Sequence, residues 1–502
     1  MNAGQGAIDP DALSWMARAH ASFSGFDFVA GHAALERTLA IDPDFLPARW
    51  ARFQLPPALA HRDAESVESF RAGWRDGVSE FATIDWEEPR QREQIWGCVG
   101  QCTAFYRHYL GDDVTADQRA YGALVGRMMR ALTGERPGPA PPKRSRKRVV
   151  YVSAYTYEHT VTRLFGPLLT RLDPDVVETH LLQLEPATDA HTQSLLAGVA
   201  QAHKGPREAR AWCELIVALA PDLIVYSDVG MHPLTQGLAA LRLAPVQAVL
   251  WGHPVTTGLP TVDFFLSSEW FEPPGAERQY SERLVRLPGL GAGLVGPTSP
   301  TRVPRSWPAR GARDFVELLC AQSVFKQLPT QVDAMISILA AAPNARLHLT
   351  PHADALARVA WGKQLGSRLR SAGGDPESQL VLHPLLPLDE FRGLAAHCDL
   401  GLDTCGWSGG MSALDQLGEG LPVLSVPGDS MRSRQTSALL QRLDVPELIS
   451  RDLADYCDRA LALIADSSLR QALRERIVAH RERLYNTGPV HRAFADFIAR
   501  AA

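Results

Sequence analysis

No run of about eighteen apolar residues occurs in the chain, so no conventional membrane-spanning helix is expected. The first thirty residues carry Asp9, Asp11 and Asp27 where a secretory leader needs basic residues followed by an apolar stretch, and a cytoplasmic location is expected. Cysteine is sparse: there are seven in 502 residues, and only Cys98 and Cys102 stand close, at the i,i+4 spacing of a helix. That pattern fits reduced thiols and neither a disulfide framework nor a zinc knuckle. A large excess of either charge is missing too. The formal net charge of −5 lacks the basic footprint of a general nucleic-acid binder. What remains, 45% hydrophobic and 21% charged residues over a length that outgrows one core, is the composition of a globular protein with two or three domains.

Residues 1–135 lack β-branched runs and show helical spacing, as in HAALERTLAIDPDFLPARWARF from His32 to Phe53. Within that stretch Ala33, Ala34, Leu39, Pro43 and Ala48 stand where a tetratricopeptide repeat places small residues, an apolar knob and a stop. No second clean copy follows at a period of about 34 residues, so a degenerate repeat or a plain helical domain is expected. Residues 136–148 form a Pro-rich, then basic linker, read as solvated. From 149 to 305, apolar strands VVYVSAY, VETHLLQL and DLIVYSD alternate with helices, and 306–502 repeats the alternation from FVELLCAQ to DLGLDT. Such β/α alternation builds parallel sheets, here two Rossmann-like lobes, with closing helices from Leu453 to Ala501. The two Asp-Pro-Asp motifs, Asp42–Asp44 and Asp173–Asp175, fall at turn punctuation, and no metal is expected.

The most informative stretch is Leu402 to Ser430, LDTCGWSGGMSALDQLGEGLPVLSVPGDS, which reads as a strand end, a glycine loop and a helix start. Ser408, Gly409 and Gly410 let backbone approach a ligand, and the first free N–H groups of a helix beginning at Met411 and Ser412 suit an anion such as phosphate. Asp415, one turn on, is placed to accept from ribose hydroxyls. On spacing alone this is equally compatible with an ordinary strand-to-helix turn.

Together with YVSAYTYEHT (151–160), APVQAVLWGHPVTTG (244–258) and CAQSVFKQLP (320–329), in that order, this stretch resembles the catalytic part of the O-GlcNAc transferase and SPINDLY family of protein glycosyltransferases. The resemblance implies a GT-B fold, α/β with two lobes facing a cleft, preceded by an all-α, degenerate TPR-like domain. It implies a bacterial member that transfers a sugar, as N-acetylglucosamine from UDP-GlcNAc, to Ser or Thr of a protein with inversion. The nucleotide sugar is a co-substrate, and no cofactor is implied. The helical domain is then the candidate for holding the protein acceptor, although the long repeat array of other members is missing. A UDP-sugar 2-epimerase, a transferase with another donor sugar or an Asn acceptor, and a non-catalytic scaffold are the alternatives.

Transfer from a nucleotide sugar needs the departing diphosphate neutralised, a base near the incoming hydroxyl and polar groups on the sugar. The resemblance assigns the first task to Lys326, helped by Gln322 and Ser323. It places His159 in the acceptor-side cleft, where an imidazole can act as base or order the donor. The loop Gly252, His253, Pro254, Thr256 and Thr257 is expected at the sugar, with His253 and Val255 replacing the family's usual Tyr and Gly. Phe391 takes the place of a residue that stacks on the nucleobase, which main chain near Leu386 would read. Where animal enzymes have His-Thr-Thr, this chain has Gly410-Met411-Ser412, leaving one hydroxyl for the phosphates. His180, His348 and His383, at strand ends, are expected to be hydrogen-bonded core residues.

Overall fold

The computed structural model describes residues 9–134, 140–296, 301, 303, 314–351 and 354–501. The chain opens with helices α1 (Pro10–Ser24), α2 (Phe28–Ile41), α3 (Leu46–Gln54), α4 (Ala64–Ala82), α5 (Pro89–Val99) and α6 (Thr115–Thr133), with a 3-10 turn at Phe105–Leu110 before α6. Asp9, Asp27 and Asp63 each accept a backbone N–H at the start of a helix, which is why the helices begin there. The core of this domain is aromatic. Trp50, Trp74, Phe81 and Tyr121 are buried, each contributing about 2–3 kcal/mol of apolar burial. Both Asp-Pro-Asp motifs are turns, with Asp42 and Asp173 accepting the N–H two residues on.

The first lobe is a seven-stranded parallel sheet of order β3-β2-β1-β4-β5-β6-β7. Its strands are β1 (Lys147–Ser153), β2 (Val177–Gln183), β3 (Gln201–Lys204), β4 (Leu223–Tyr226), β5 (Val246–Leu250), β6 (Phe264–Ser268) and β7 (Arg283–Leu287). Helices α7 (Thr160–Thr170), α8 (Ala190–Ala197), α9 (Ala209–Leu219) and α10 (Pro233–Ala239) make the crossovers. The second lobe is a five-stranded parallel sheet, order β10-β9-β8-β11-β12, built from β8 (Val316–Cys320), β9 (Ala345–Leu349), β10 (Leu380–Leu382), β11 (Leu400–Leu402) and β12 (Val423–Leu424). It carries α11 (Pro329–Ala341), α12 (Ala355–Ser371), α13 (Pro376–Gln379), α14 (Leu388–His397), α15 (Met411–Gly418), α16 (Gln435–Arg442), α17 (Leu453–Ala465), α18 (Ser467–His480) and α19 (Gly488–Ala501). The last helix crosses back to the first lobe, where Phe497 packs edge-on against Phe264 at 5.3 Å.

Two doubly wound parallel sheets behind an all-α domain are the expected GT-B architecture. The expected boundary between the lobes, at 305 and 306, lies outside the described residues. Ala140, Pro142, Lys143, Ser145 and Arg146 of the basic segment are exposed, as expected of a solvated linker, while Arg144 and Arg148 are half-buried. β1 already starts at Lys147. Arg144 donates to Ala220 O at 2.8 Å, Arg146 to Pro174 O at 3.1 Å, and Arg148 pairs with Glu178 at 3.1 Å. These guanidinium groups cap helix and turn carbonyls at the amino end of the sheet, so their charge is used structurally. Among the described residues no helix is long and apolar enough to cross a membrane, and all seven cysteines are free thiols. His180 and His348 are buried in pairs with Glu178 and Glu317, as core histidines should be.

The helical domain is seated on the first lobe by backbone contact. Gly258, at φ +69°, lies so close to α6 that a Cβ there would fall 1.8 Å from Gln118 O, and a Cβ on Gly122 would fall 2.2 Å from Gly258 O. Only glycine fits either place. Gly258→Ala should therefore destabilise the protein by about 3 kcal/mol or more and separate unfolding of the helical domain from that of the lobes. Calorimetry of the variant checks this: a single transition at the wild-type temperature would contradict it.

Candidate active site

Strand β8 is buried, and the chain leaving its carboxyl end turns through Gln322 and Ser323 into a 3-10 turn, Val324–Lys326, before Pro329 starts α11. The turn aims Lys326 into the gap between the lobes. Its Nζ donates to Gln322 Oε1 at 3.2 Å, and Gln322 Nε2 donates to Ser412 Oγ at 2.7 Å. A single amide thus ties the ammonium to the first turn of α15. No carboxylate lies within ion-pair distance of Lys326 among the described residues. Burial pulls its pKa down to about 8 against the opposing pull of Asp403. The Ser323 hydroxyl has no partner among the described residues.

The glycine loop is organised by Asp403, at the end of β11. Its carboxylate accepts from Ser408 Oγ at 2.6 Å, Ser425 Oγ at 2.7 Å and Gly409 N–H at 2.8 Å. Burial raises this carboxyl, and the three donors hold it down. Ser408 is therefore a structural residue rather than a phosphate contact, because its hydroxyl is spent on Asp403 and Thr436. Gly409 and Gly410 are packed so tightly that a Cβ would meet Gln322 Nε2 at 2.6 Å and Gln435 Oε1 at 2.5 Å. Helix α15 starts at Met411 with no side-chain cap, which leaves its first N–H groups for another acceptor. Asp415, buried one turn on, forms a two-pronged ion pair with Arg163 of α7, at 2.8 and 3.1 Å. A ribose would have to displace or share that partner.

On the facing lobe, His159 caps α7, and its Nδ1 accepts the Val161 N–H at 3.2 Å. The ring stacks on Tyr155 at 4.2 Å, and burial pulls its pKa to about 4. With Nδ1 occupied as an acceptor, Nε2 carries the proton. His159 is thus arranged to donate a hydrogen bond, the arrangement that ordering the donor, one of its two expected roles, would use. Asp228, at the carboxyl end of β4, was not singled out in the sequence because one Asp after a strand carries no signal. It is buried, accepts the Ala154 N–H at 2.9 Å, has the Ser153 and Thr235 hydroxyls beside it, and burial raises its pKa to about 7.

The loop after β5 runs along Ser227 O, to which a Cβ on Gly252 would come within 1.9 Å. Pro254 is buried in it. Thr256 and Thr257 turn inward: Thr256 Oγ1 donates to Glu282 at 2.6 Å and the Thr257 N–H at 2.7 Å, so these hydroxyls stabilise the loop instead of facing a sugar. His253 is buried among Phe105, His108 and Trp407, at ring distances of 5.5, 4.8 and 5.2 Å. The turn FYRHYL (105–110) of the helical domain thereby plugs into both lobes, with Tyr109 against Trp407 at 4.1 Å and Phe325 at 4.7 Å. Its aromatic density was the only sequence signal for this contact. Phe391 and Leu386 lie half-buried on α14 and the turn before it. Beside them a cleft of about 370 Å³ opens between the lobes, lined by Glu158, Arg163, His191, Leu388 and Arg392 among others.

Residues 316–489, most of the second lobe, match the model of glycosyl transferase family 41. The chain is 30% identical over 244 residues to a probable UDP-N-acetylglucosamine--peptide N-acetylglucosaminyltransferase SPINDLY of Petunia hybrida, covering 48% of this chain and 26% of that protein. It is 24% identical over 364 residues to the corresponding SEC protein of Arabidopsis thaliana, 69% of this chain and 36% of that one. A UDP-glucose:protein N-beta-glucosyltransferase of Actinobacillus pleuropneumoniae matches at 25% over 260 residues, 50% of this chain and 39% of that protein. The chain thus spans about a quarter of the length of the SPINDLY relatives. A mutant of the Thermobaculum terrenum O-GlcNAc transferase shares the fold over 98% of both chains, with a TM-score of 0.66 and 23% identity.

Asp228 has a signature in stability. Its folded pKa of about 7 exceeds the unfolded value of roughly 3.9, so between these values the folded state keeps a proton that the unfolded chain has lost. Its contribution to stability therefore declines as pH rises from about 4 to 7. Asp228→Asn should be more stable than the wild type at pH 8 and lose this advantage near pH 4, as read by denaturant melts. Equal or lower stability of the variant at pH 8 would contradict the assignment.

Proposed function

We propose that this chain, whose second lobe matches glycosyl transferase family 41, is an inverting glycosyltransferase that moves a sugar from a nucleotide diphosphate donor to a protein side chain. The observation that carries this reading is the ammonium of Lys326, without a carboxylate partner among the described residues and bridged by Gln322 to the uncapped start of α15. A cation and a helix N-terminus side by side suit a diphosphate. The leaving group gains negative charge as the glycosidic bond breaks, so a group fixed on it stabilises the transition state more than the ground state. Met411 and Ser412 offer backbone N–H groups and one hydroxyl, and Asp415 offers the carboxylate for the ribose. Leu386 and Phe391, sequence neighbours of the cleft-lining Leu388 and Arg392, are assigned to the base in this reading.

Asp228 is fully buried beneath the loops of this lobe, where it holds the Ala154 N–H and supports the site without meeting the incoming hydroxyl. His159, through its Nε2–H, then orients acceptor or donor. Attack on the anomeric carbon opposite the diphosphate inverts it in one displacement. N-acetylglucosamine on Ser or Thr, from UDP-GlcNAc, is the reading favoured by the SPINDLY and SEC matches. Glucose on Asn is the second, favoured by the bacterial N-glucosyltransferase match.

The test is incubation with UDP-GlcNAc and UDP-glucose, with and without host lysate proteins, followed by mass spectrometry of peptides. Glycopeptides are the expected product, and their residue and mass decide between the two readings. Free-sugar isomers without glycopeptides would overturn both. Lys326→Ala should lower turnover by about two orders of magnitude, the scale of losing one contact to developing charge. Turnover at the wild-type level in that variant removes Lys326 from the chemistry.

A further inference from the structure

His253 and His108 come from different domains, yet their rings meet as His108 Nδ1···His253 Nε2 at 2.6 Å, with neither imidazole exposed to solvent. A contact that short between two ring nitrogens needs one proton, and the surroundings decide which ring supplies it. Gln118 of α6 donates its Nε2 to Thr256 O at 3.3 Å, which turns Oε1 away from that carbonyl as an acceptor. Gln118 Oε1 and His108 Nε2 are both buried and neither has a hydrogen-bond partner among the described residues; Gln118 is the neutral polar side chain beside that ring, so a small adjustment lets each satisfy the other. His108 therefore carries its proton on Nε2 and presents a lone pair at Nδ1. It follows that His253 donates from Nε2, and that its own Nδ1 bears a lone pair.

That Nδ1 has no hydrogen-bond partner among the described residues. Both rings stay neutral: burial lowers each pKa, and the positive charges of Arg432 and Lys326 lower that of His253 further. Geometry places His253 near the ammonium assigned to the diphosphate: Phe105, stacked on the His253 ring at 5.5 Å, also meets Phe325, the neighbour of Lys326, at 5.7 Å. Phe105 stacks on one face of the ring and Trp407 crowds it, so the imidazole has little freedom to flip.

We propose that Gln118 and His108 of the helical domain lock His253 as its Nε2–H tautomer, so that Nδ1 accepts a hydrogen bond from a hydroxyl of the donor sugar next to Lys326. This rests on the transferase reading for the identity of the ligand, while the tautomer itself does not. His108 and Gln118 act through His253 and are positioning residues. The helical domain would then serve the donor side of the cleft, as well as any acceptor it holds. An acceptor-only nitrogen recognises an O–H and penalises a sugar whose matching hydroxyl is missing or oxidised to a carbonyl.

The test uses full-length protein labelled with ¹⁵N-histidine, with His253 identified through His253→Asn. Ring-nitrogen spectra should show His253 protonated at Nε2 and bare at Nδ1. UDP-glucose or UDP-GlcNAc should shift Nδ1, whereas UDP alone should leave it in place. In Gln118→Met, and in His108→Phe if it folds, His253 should become a mixture of tautomers, with KM for the donor raised about tenfold and kcat changed less. An Nδ1–H tautomer in the wild type, or an unchanged single tautomer in Gln118→Met, overturns the lock. A shift as large with UDP as with the sugar nucleotides overturns the sugar contact. Silence towards every nucleotide and sugar nucleotide, with the tautomer intact, overturns the transferase reading and the sugar contact together and leaves the lock standing.

Discussion

A half-buried lysine ammonium with only an amide oxygen for company among the described residues is the constraint on which the rest of this cleft depends. Burying an ammonium without a counter-ion is costly, and the downward pull on the pKa of Lys326 records that cost. Asp403, the nearest negative charge to act on it, is occupied by two serine hydroxyls and a glycine N–H. Those bonds keep the carboxylate on the loop and hold the loop in the shape that leaves the start of α15 open. The same arrangement thus maintains an unpaired cation and an unpaired set of N–H donors side by side, a site short of negative charge that a diphosphate would supply.

The lobes are held across this site by contacts that a ligand has to accommodate. Arg163 reaches over from α7 to Asp415, Arg432 donates to Asp112 O in the helical domain, and Gln279 Nε2 reaches Asp429 O at 2.6 Å. The three parts of the molecule therefore meet around one cleft instead of standing as beads on a chain. The helical domain is wedged in by Gly122 and Gly258 and by the Phe105–Leu110 turn. Its aromatic side chains fill the junction between the His253 loop and Trp407 as a cluster of their own, while Tyr121, Leu124, Val125, Met128 and Met129 of α6 belong to a core continuous with that of the lobes.

Much of this was legible in the sequence. Periodicity located β8, β9, β11, α14 and α15 because buried parallel strands read as apolar runs and amphipathic helices as 3.6-residue stripes. The short edge strand β3 and the strands β6 and β7 were not legible. QAHK is polar because it sits at an exposed edge, and RLVRL alternates too briefly to stand out. At the site, the glycine loop stood out by its spacing, while Lys326 was singled out only by the resemblance of its segment to the glycosyltransferase family. Direction was not legible. Ser408, Thr256 and Thr257 carry the right hydroxyls and turn them inward to Asp403 and Glu282, while the ring of His159 suits both of its expected roles until the Val161 N–H occupies Nδ1. Asp228 and Arg163 were missed because a single charged residue acquires meaning only from what the fold places beside it.

The most direct measurement of the central claim is a crystal structure of the protein with UDP. The diphosphate should lie within hydrogen-bond distance of Lys326 Nζ and of the backbone N–H groups at Met411 and Ser412. The ribose should lie at Asp415, with Arg163 displaced or shared. A nucleotide bound elsewhere, or in the cleft with Lys326 still turned to Gln322 and no phosphate at the start of α15, would contradict it.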